Sequence, residues 1–277
     1  MALTIPTNIA SLEAQKNLAR NQAALAQSFN RLSSGFRINS AADDAAGLAI
    51  SESMKSQIRS YVVSERNAND AISMVQTAEG ALGNVQDIAA RMRELAVQAS
   101  NGSFTSTDRG YMNTEYSQLK EELVRIQGAA KFNGKELLQT TASSIVFQVG
   151  LNNTQTDQLT VTFGGFALTS LVASTNSVGG STASSALAAL STIDNAMTTI
   201  STQRAKYGAA MNRLGVVTSS IQTMRLNISA ANSRIRDVDV AEETSMMARN
   251  QVLSQAGISV LSQANQLPNM AMNLLGR

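Results

Sequence analysis

The 277-residue sequence has no cysteine, no histidine and no tryptophan. Without cysteine there can be no disulfide, no thiolate metal ligand and no cysteine nucleophile. Without histidine the usual general base and the usual transition-metal ligand are gone as well. Aromatic residues are scarce at 4%, which argues against a thick aromatic core, and charged residues make up 15% against about a quarter in an average domain. Lysine plus arginine outnumber the acids by only 22 to 20, and no basic run occurs, so the clustered charge of a nucleic-acid reader is missing. No stretch is long and apolar enough to span a bilayer. The polar faces are too weakly basic for an amphipathic membrane binder. The opening MALTIPTNIASLEAQKN has neither a basic n-region nor an apolar h-region, so the residues by themselves point to the cytoplasm. Neither an enzyme nor a cofactor or metal site is expected.

What fills the composition is Ala, Ser, Thr, Asn and Gln arranged on heptads. Ile193, Ile200, Tyr207, Leu214, Ile221, Ile228 and Ile235 recur at a strict spacing of seven. Such a repeat puts one line of side chains along a helix and asks for a partner helix beside it. At about 1.5 Å per residue the stretch is a rod of roughly 60 Å. A second long helix is expected over about 45–100. One of its lines is Tyr61, Ala68, Val75, Leu82, Ala89 and Ala96; the other is Ala71, Ala78, Val85, Met92 and Ala99. So much alanine in a seam implies close helix approach, with Gly80 and Gly83 as weak points. Asn101-Gly102 ends that helix. A shorter one follows over about 107–127, carrying Met112, Tyr116, Leu119, Leu123 and Ile126, with Gly128 as its C-terminal stop.

The remaining segments are shorter. Lys131-Phe132-Asn133-Gly134 is a turn signal. Ile145, Phe147 and Val149, then Leu159, Val161 and Phe163, alternate with period two and predict a β-hairpin near 141–164, the first run blurred by Val146. Residues 164–185 are rich in Ser, Thr and Gly and read as a short loop or surface excursion. Asp43 and Asp44 are adjacent and could suggest a metal site or an acid–base dyad. With no histidine or further acids nearby, helix capping is the better reading, Ser40 with Asp43 forming a capping box.

Both ends carry narrow stripes. Leu18, Leu25 and Leu32 are seven apart in the first helix, which spans about 4–34 with Pro6 in its first turn. Met246, Leu253, Val260, Leu267 and Leu274 are seven apart in the last, which Asp239 and Glu242 can cap. Pro268 falls inside that pattern and is expected to kink or loosen it. Met246, Met247, Met270 and Met272 suit either core filling or an adaptable partner surface. The expected fold is therefore mainly α. Long antiparallel heptad helices form a rod over 45–236 with a small β-hairpin, and the terminal segments 1–44 and 237–277 pair as a coiled coil. Neither terminal stripe can be satisfied in so thin a molecule, which points to lateral self-assembly. A cytoplasmic coiled-coil signalling rod is the alternative from composition and heptads alone.

Several motifs resemble the bacterial flagellins. RLSSGFRINSAADDAAGLAIS (31–51), SERNANDAISMVQTAEGAL (64–82) and RELAVQAS (93–100) are similar to that family's N-terminal region. SRIRDVDVAEE (233–243) and QVLSQAGISVLSQANQLP (251–268) are similar to its C-terminal region. The likeness covers roughly 1–139 and 186–277; the large variable outer domains of many flagellins are missing, with only about 140–185 in their place. The resemblance implies an extracellular filament built from copies of the chain for motility. The terminal helices would line its central channel and the long helices would form the surrounding tube. It also implies export without a cleaved signal through the flagellar type III apparatus, and it names as partners a cytoplasmic chaperone for the Met-rich last helix, a filament cap protein and a hook-filament junction protein. Some flagellins carry a metalloprotease insert, but a chain without histidine cannot build its H-E-x-x-H helix. Flagellins like this one are detected by Toll-like receptor 5, and by motif the family's contact positions fall on Arg91, Leu95 and Glu115.

Overall fold

A computed structural model of the chain describes residues 7–165, 169–173 and 176–275, without the side chains of 169, 170 and 267–275. Thr4, Ile5 and Pro6, expected to open the first helix, lie outside the described residues. Six helices and four strands follow in order: α1 (Ile9–Ser34), α2 (Ala45–Ala99), α3 (Ser106–Ala129), β1 (Lys131–Phe132), β2 (Lys135–Glu136), β3 (Ser143–Gln148), β4 (Gln158–Phe163), α4 (Thr169–Val172), α5 (Ser184–Arg236) and α6 (Val240–Leu275). The fold is mainly α, as the heptads predict. Among the described residues no helix is long and apolar enough to cross a membrane.

The chain divides into two compact units. One holds α1, α6, the start of α2 up to Ile58 and the end of α5 from Leu226; the other is Arg59–Arg225. The divide therefore falls within the two long helices. The boundaries expected at 44/45 and 236/237 are instead the joints between helices.

The core of the second unit is the meeting of α2 and α5. Both heptad lines of α2 from Ala68 to Ala99 are buried, and Met74 and Leu95 join them. On α5, Ala186, Ala189, Ile193, Ala196, Ile200, Gln203 and Tyr207 are buried at alternating steps of three and four. Beyond Tyr207 only every seventh residue, Leu214 and Ile221, is still buried. The seam thus narrows from two lines to one. Alanine in the seam lets the backbones come close, and methyl burial at about 25 cal/mol per Å² supplies the driving force. Ion pairs across α2 and α5 then fix the antiparallel register: Arg93–Asp194 at 2.7 Å, Arg204–Glu79 at 2.6 Å and Arg225–Glu65 at 2.6 Å. Each is at least partly exposed and contributes about 0–1 kcal/mol, so they align a seam that burial holds together.

α3 lays Tyr116 and Leu123 on that core. Its N-terminus is a capping box that the sequence reading passed over, in which Thr105 Oγ1 accepts from the Asp108 N–H and Asp108 Oδ2 accepts from the Thr105 N–H at 2.9 Å. Arg109 is buried. Its guanidinium donates to the carbonyls of Ala99 (2.9 Å) and Asn101 (3.1 Å), closing the C-terminus of α2 with charge opposite to the helix dipole. Gly128 does not stop the helix as expected. α3 continues to Ala129, and the Ala130 N–H still reaches the Ile126 carbonyl at 2.9 Å.

The turn at Asn133-Gly134 joins β1 and β2 with both residues at positive φ, 47° and 78°, the pattern of a tight primed hairpin. The main hairpin pairs β3 with β4 antiparallel, Ile145 opposite Val161 and Phe147 opposite Leu159. Leu159, Val161 and Phe163 turn inward and Val146 outward, as the alternation requires. Asn67 holds the hairpin to α2 through the Gln148 carbonyl (3.0 Å), and Gln203 holds it to α5 through the Thr162 carbonyl (3.2 Å). The Phe163 ring meets Tyr207 at 5.6 Å.

Two further expectations need correction. The described residues within 164–185 are not simply a surface excursion: Leu171 and Val178 are fully buried, and side chains of α3 satisfy the local backbone. Lys120 Nζ donates to the carbonyls of Ala173 (2.6 Å) and Asn176 (2.8 Å), while Asn113 Oδ1 accepts from the Val178 N–H (3.1 Å) and the Gly179 N–H (3.2 Å). Polar composition misleads where neighbours supply the missing partners. The cap of α2 is Asp44, not Ser40, since Asp44 Oδ1 accepts from the Gly47 N–H at 2.9 Å, and Ser40 with Asp43 closes the turn before the helix. α6 is helical through Pro268 to Leu275.

Hydrogen bonds from the Thr105 side chain and N–H hold the Asp108 carboxyl below its ordinary value of 3.8. A carboxyl whose pKa is lower folded than unfolded adds stability above the unfolded value and loses it as pH falls through the folded one. Asp108→Asn should therefore lower the melting temperature at neutral pH, and the gap to the parent should narrow as the pH falls through the lowered folded-state pKa. Thermal denaturation followed by circular dichroism across pH checks this; a gap that persists in acid would show that the carboxylate charge is not what stabilises the cap.

Candidate functional site

The terminal helices α1 and α6 lie antiparallel, and their seam has an unusual lining. From α1 it takes Ser11, Ala14, Leu18, Asn21, Leu25, Ser28 and Leu32, all buried or half-buried. From α6 it takes Glu243, Met247, Asn250, Ser254, Gly257, Leu261 and Ala264. Both sets step by three and four, the spacing of a coiled-coil seam. Leu18 of α1 sits over Gly257 of α6. Leu18 Cδ1 would be only 3.3 Å from a Cβ on Gly257, so the glycine permits the close approach. Polar contacts set the register. The Asn8 side chain caps α1 by accepting from the Ser11 N–H (3.0 Å) and donates to the Ala264 carbonyl (2.8 Å); Ser11 Oγ donates to Asn265 Oδ1 (2.7 Å). Arg31 meets the buried Glu243 at 3.5 Å.

The apolar stripe of α6 is not in this seam. Met246, Leu253 and Val260 are 40%, 41% and 56% exposed, and Val252 and Ile258 beside them are exposed as well. On α1, Ile9, Leu12 and Phe29 are exposed. Leu18, Leu25 and Leu32 thus meet within one chain, while the other expected stripe is left uncovered. The side chains of Leu267 and Leu274 lie outside the described residues. Of the stripe expected to organise α5, Ile193, Ile200, Tyr207, Leu214 and Ile221 are buried, and Ile228 and Ile235 are half-buried.

The second candidate patch lies on α2 and α3. Arg91 Nε donates to Glu115 Oε1 at 2.8 Å and Arg91 Nη1 to Glu94 Oε2 at 2.8 Å, so Glu115 does join Arg91. These bonds, Glu115 foremost, raise the Arg91 guanidinium above its ordinary value. Leu95, expected on the same exposed face, is 2% exposed and belongs to the core. Four residues apart on α2, Arg91 faces solvent and Leu95 sits at the seam edge. Asp43 and Asp44, the other chemistry-bearing pair, are both occupied in turn and cap hydrogen bonds, the Ser40 N–H foremost in holding Asp43 below its ordinary value. Among the described residues no group of acids could hold a metal ion.

Comparison with known proteins decides what kind of molecule this is. Residues 5–143 match the bacterial flagellin N-terminal helical region, and residues 190–275 match the bacterial flagellin C-terminal helical region. The chain belongs to the bacterial flagellin family. Flagellin from Halalkalibacterium halodurans is 39% identical over 273 residues, covering 99% of this chain and all of the relative. Flagellin from Bacillus subtilis is 39% identical over 305 residues with the same coverage. A flagellar filament 33 kDa core protein from Treponema phagedenis is 37% identical over 289 residues. The crystal structure of Bacillus cereus flagellin superposes with a TM-score of 0.50 at 32% identity, over 60% of this chain and 94% of that one. A putative flagellar hook-associated protein from Vibrio parahaemolyticus shares the fold, with a TM-score of 0.55 at 15% identity over 71% of this chain. As a flagellin the chain is a structural subunit that polymerises into the flagellar filament outside the cell, and it is not an enzyme. The cytoplasmic signalling rod is set aside.

A seam so rich in Ser, Asn and Gly gives the terminal pair little to set against an ordering cost of about 1–2 kcal/mol per residue. Limited proteolysis of monomer should trim α1 and α6 first and spare Arg59–Arg225. The same digestion of filaments should leave the ends intact. Fragment masses read the result, and equal resistance of the ends in both states would mean that the seam suffices alone.

Proposed function

We propose that flagellin subunits join here through the uncovered stripe Met246, Leu253 and Val260, continued by Leu267 and Leu274, with the terminal helices 1–44 and 237–277 forming the inner tube of the filament and 45–236 the tube around it. The observation that supports this is the division of labour on α6. Its polar, small-residue line meets α1, and its apolar line faces away with nothing of the same compact unit upon it. Three large apolar side chains at spacing seven on one exposed helix face mark a surface meant for covering. Leu253→Asp or Val260→Asp would place a charge in that contact, at about several kcal/mol per subunit. Sedimentation and negative-stain microscopy should show no filaments from either variant, while circular dichroism shows the long helices retained. Filaments of parental yield from both would place the stripe in solvent.

The remaining partners follow from the family. The type III apparatus exports the subunit, a cytoplasmic chaperone holds the Met-rich α6 before export, the cap protein guides addition at the tip and a junction protein joins filament to hook. The exposed Met246 and Val252 support the chaperone reading, since a soluble partner must shield that face before polymerisation.

Toll-like receptor 5 is the remaining partner, through Arg91 and Glu115, with Leu95 supporting the patch from the core rather than touching the receptor. An arginine already held in place by Glu115 and Glu94 loses little freedom on binding, which favours it as an anchor. Arg91→Ala should reduce monomer potency in a receptor-reporter assay by about 30-fold, the equivalent of roughly 2 kcal/mol. Intact filament should be silent if the patch is covered in the assembly. An unchanged response from the variant would remove Arg91 from the contact.

A further inference from the structure

We propose that Arg236 is a positioning residue for polymerisation, its side chain clamping the joint between the terminal helix pair and the adjoining ends of α2 and α5. The inference rests on the filament reading above.

The joint is built from two short linkers, residues 35–44 between α1 and α2 and residues 237–239 between α5 and α6. They pair at a single bridge, Phe36 with Asp237. The Arg37 N–H donates to the Arg236 carbonyl at 2.6 Å, the Val238 N–H to the Gly35 carbonyl at 3.1 Å, and Arg37 Nη2 to the Ile235 carbonyl at 2.8 Å. Apolar burial adds little. Within the linkers only Ile38 is a buried hydrophobic, and it fits because Gly47 has no side chain; a Cβ there would lie 2.7 Å from Ile38 Cδ1. Phe36 and Val238 are half-buried. One bridge and one isoleucine are a small anchorage for two helices of 26 and 36 residues.

Arg236 supplies the rest. Its guanidinium carbon lies 4.5 Å from the centre of the Phe36 ring, and Nη1 donates to Glu52 Oε1 at 2.6 Å. Its side chain is only 14% exposed. One residue at the end of α5 therefore ties the first linker twice, through the Phe36 ring and through its own carbonyl, and α2 through the Glu52 carboxylate. A planar guanidinium can stack on a ring and still direct N–H groups at a carboxylate in its plane; a lysine ammonium cannot do both. Phe36 is the counterpart that makes the stack, and its aromatic face rather than its bulk is what the clamp uses.

The reason to place such a clamp here is assembly. Every subunit of a filament must present α1 and α6 in the same pose. If loosening the joint lowers the fraction of monomers already in that pose, the apparent affinity for the growing end falls by the same fraction.

Seeded elongation, followed by light scattering with parental seeds, tests the clamp against the parent, Arg236→Ala, Arg236→Lys, Phe36→Leu and Phe36→Tyr. The two losses of the stack, Arg236→Ala and Phe36→Leu, should slow elongation about tenfold or more, and Arg236→Lys should fall with them. Phe36→Tyr, which keeps the ring face, should stay near the parent. The cooperative melting of Arg59–Arg225 should be unchanged throughout. Parental elongation by Arg236→Ala, a Phe36→Tyr as slow as Phe36→Leu, or a melting temperature that falls in step with elongation would each overturn the proposal. Failure of the parent itself to elongate would instead strike the filament reading beneath it.

Discussion

Close approach of helices along seams of alanine is the constraint on which the rest of the structure depends. α2 offers Ala68, Ala71, Ala78, Ala89, Ala96 and Ala99 to its core, and α5 answers with Ala186, Ala189 and Ala196. Small side chains bury little area each, so the unit needs length: the contact has to run on for many turns to accumulate what a few aromatic residues would bury in a thicker domain. Length brings its own problem, because a repetitive alanine seam does not by itself select one register. The exposed cross-pairs, Arg93–Asp194, Arg204–Glu79 and Arg225–Glu65, answer that problem with little energy each. Larger side chains are spent where the hairpin joins the pair, Phe163 meeting Tyr207 at 5.6 Å.

Register and stickiness are separated more sharply at the ends of the chain. A terminal pair that met through two fully apolar lines would be stable alone and would have no reason to change partners. Here the inward line of α6 is Glu243, Met247, Asn250, Ser254, Gly257, Leu261 and Ala264, polar or small at five of seven positions, while the outward line is Met246, Leu253 and Val260. Leucines from α1 meet this mixed line, and Met246, Leu253 and Val260 are left exposed, which is the face proposed above to join another copy. A helix so divided gains stability when a second surface covers its exposed line, which is the thermodynamic form a self-assembling subunit needs.

This division explains what was and was not legible in the sequence. Period-seven spacing located every long helix and the leucines of α1, because a heptad line reports a helix face directly. It could not report which face meets which partner. Met246, Leu253 and Val260 look like a seam in one dimension, but they are not the seam within the chain: all three are exposed. The true inward line was hidden because Ser, Asn, Gly and Glu carry no hydrophobic signal. Likewise Leu95 was read with Arg91 as one face, although four residues on a helix of this packing spans the edge between solvent and core. Polarity hid the order of residues 164–185, where Lys120 and Asn113 reach across to satisfy the backbone. The flagellin motifs were legible for a different reason: RLSSGFRINSAADDAAGLAIS and SRIRDVDVAEE cover the two linkers and the helix starts around them, where backbone geometry leaves few residue choices.

The polar character of the terminal seam also settles which pairing the ends can adopt. A purely apolar line on α6 could slide by one heptad against α1 and lose little, since leucine over leucine repeats every seven residues. The buried Glu243 cannot slide: shifted by seven it leaves Arg31, and an unpaired buried carboxylate costs far more than a shifted methyl contact. Asn8 and Ser11 fix the far end in the same way, through Ala264 and Asn265. The seam is thus pinned near both ends by polar groups with single solutions and left weak between them. A weak seam in a single register is easy to open and hard to close wrongly, and that combination suits a subunit whose terminal helices must first exist without neighbours and then be packed among them.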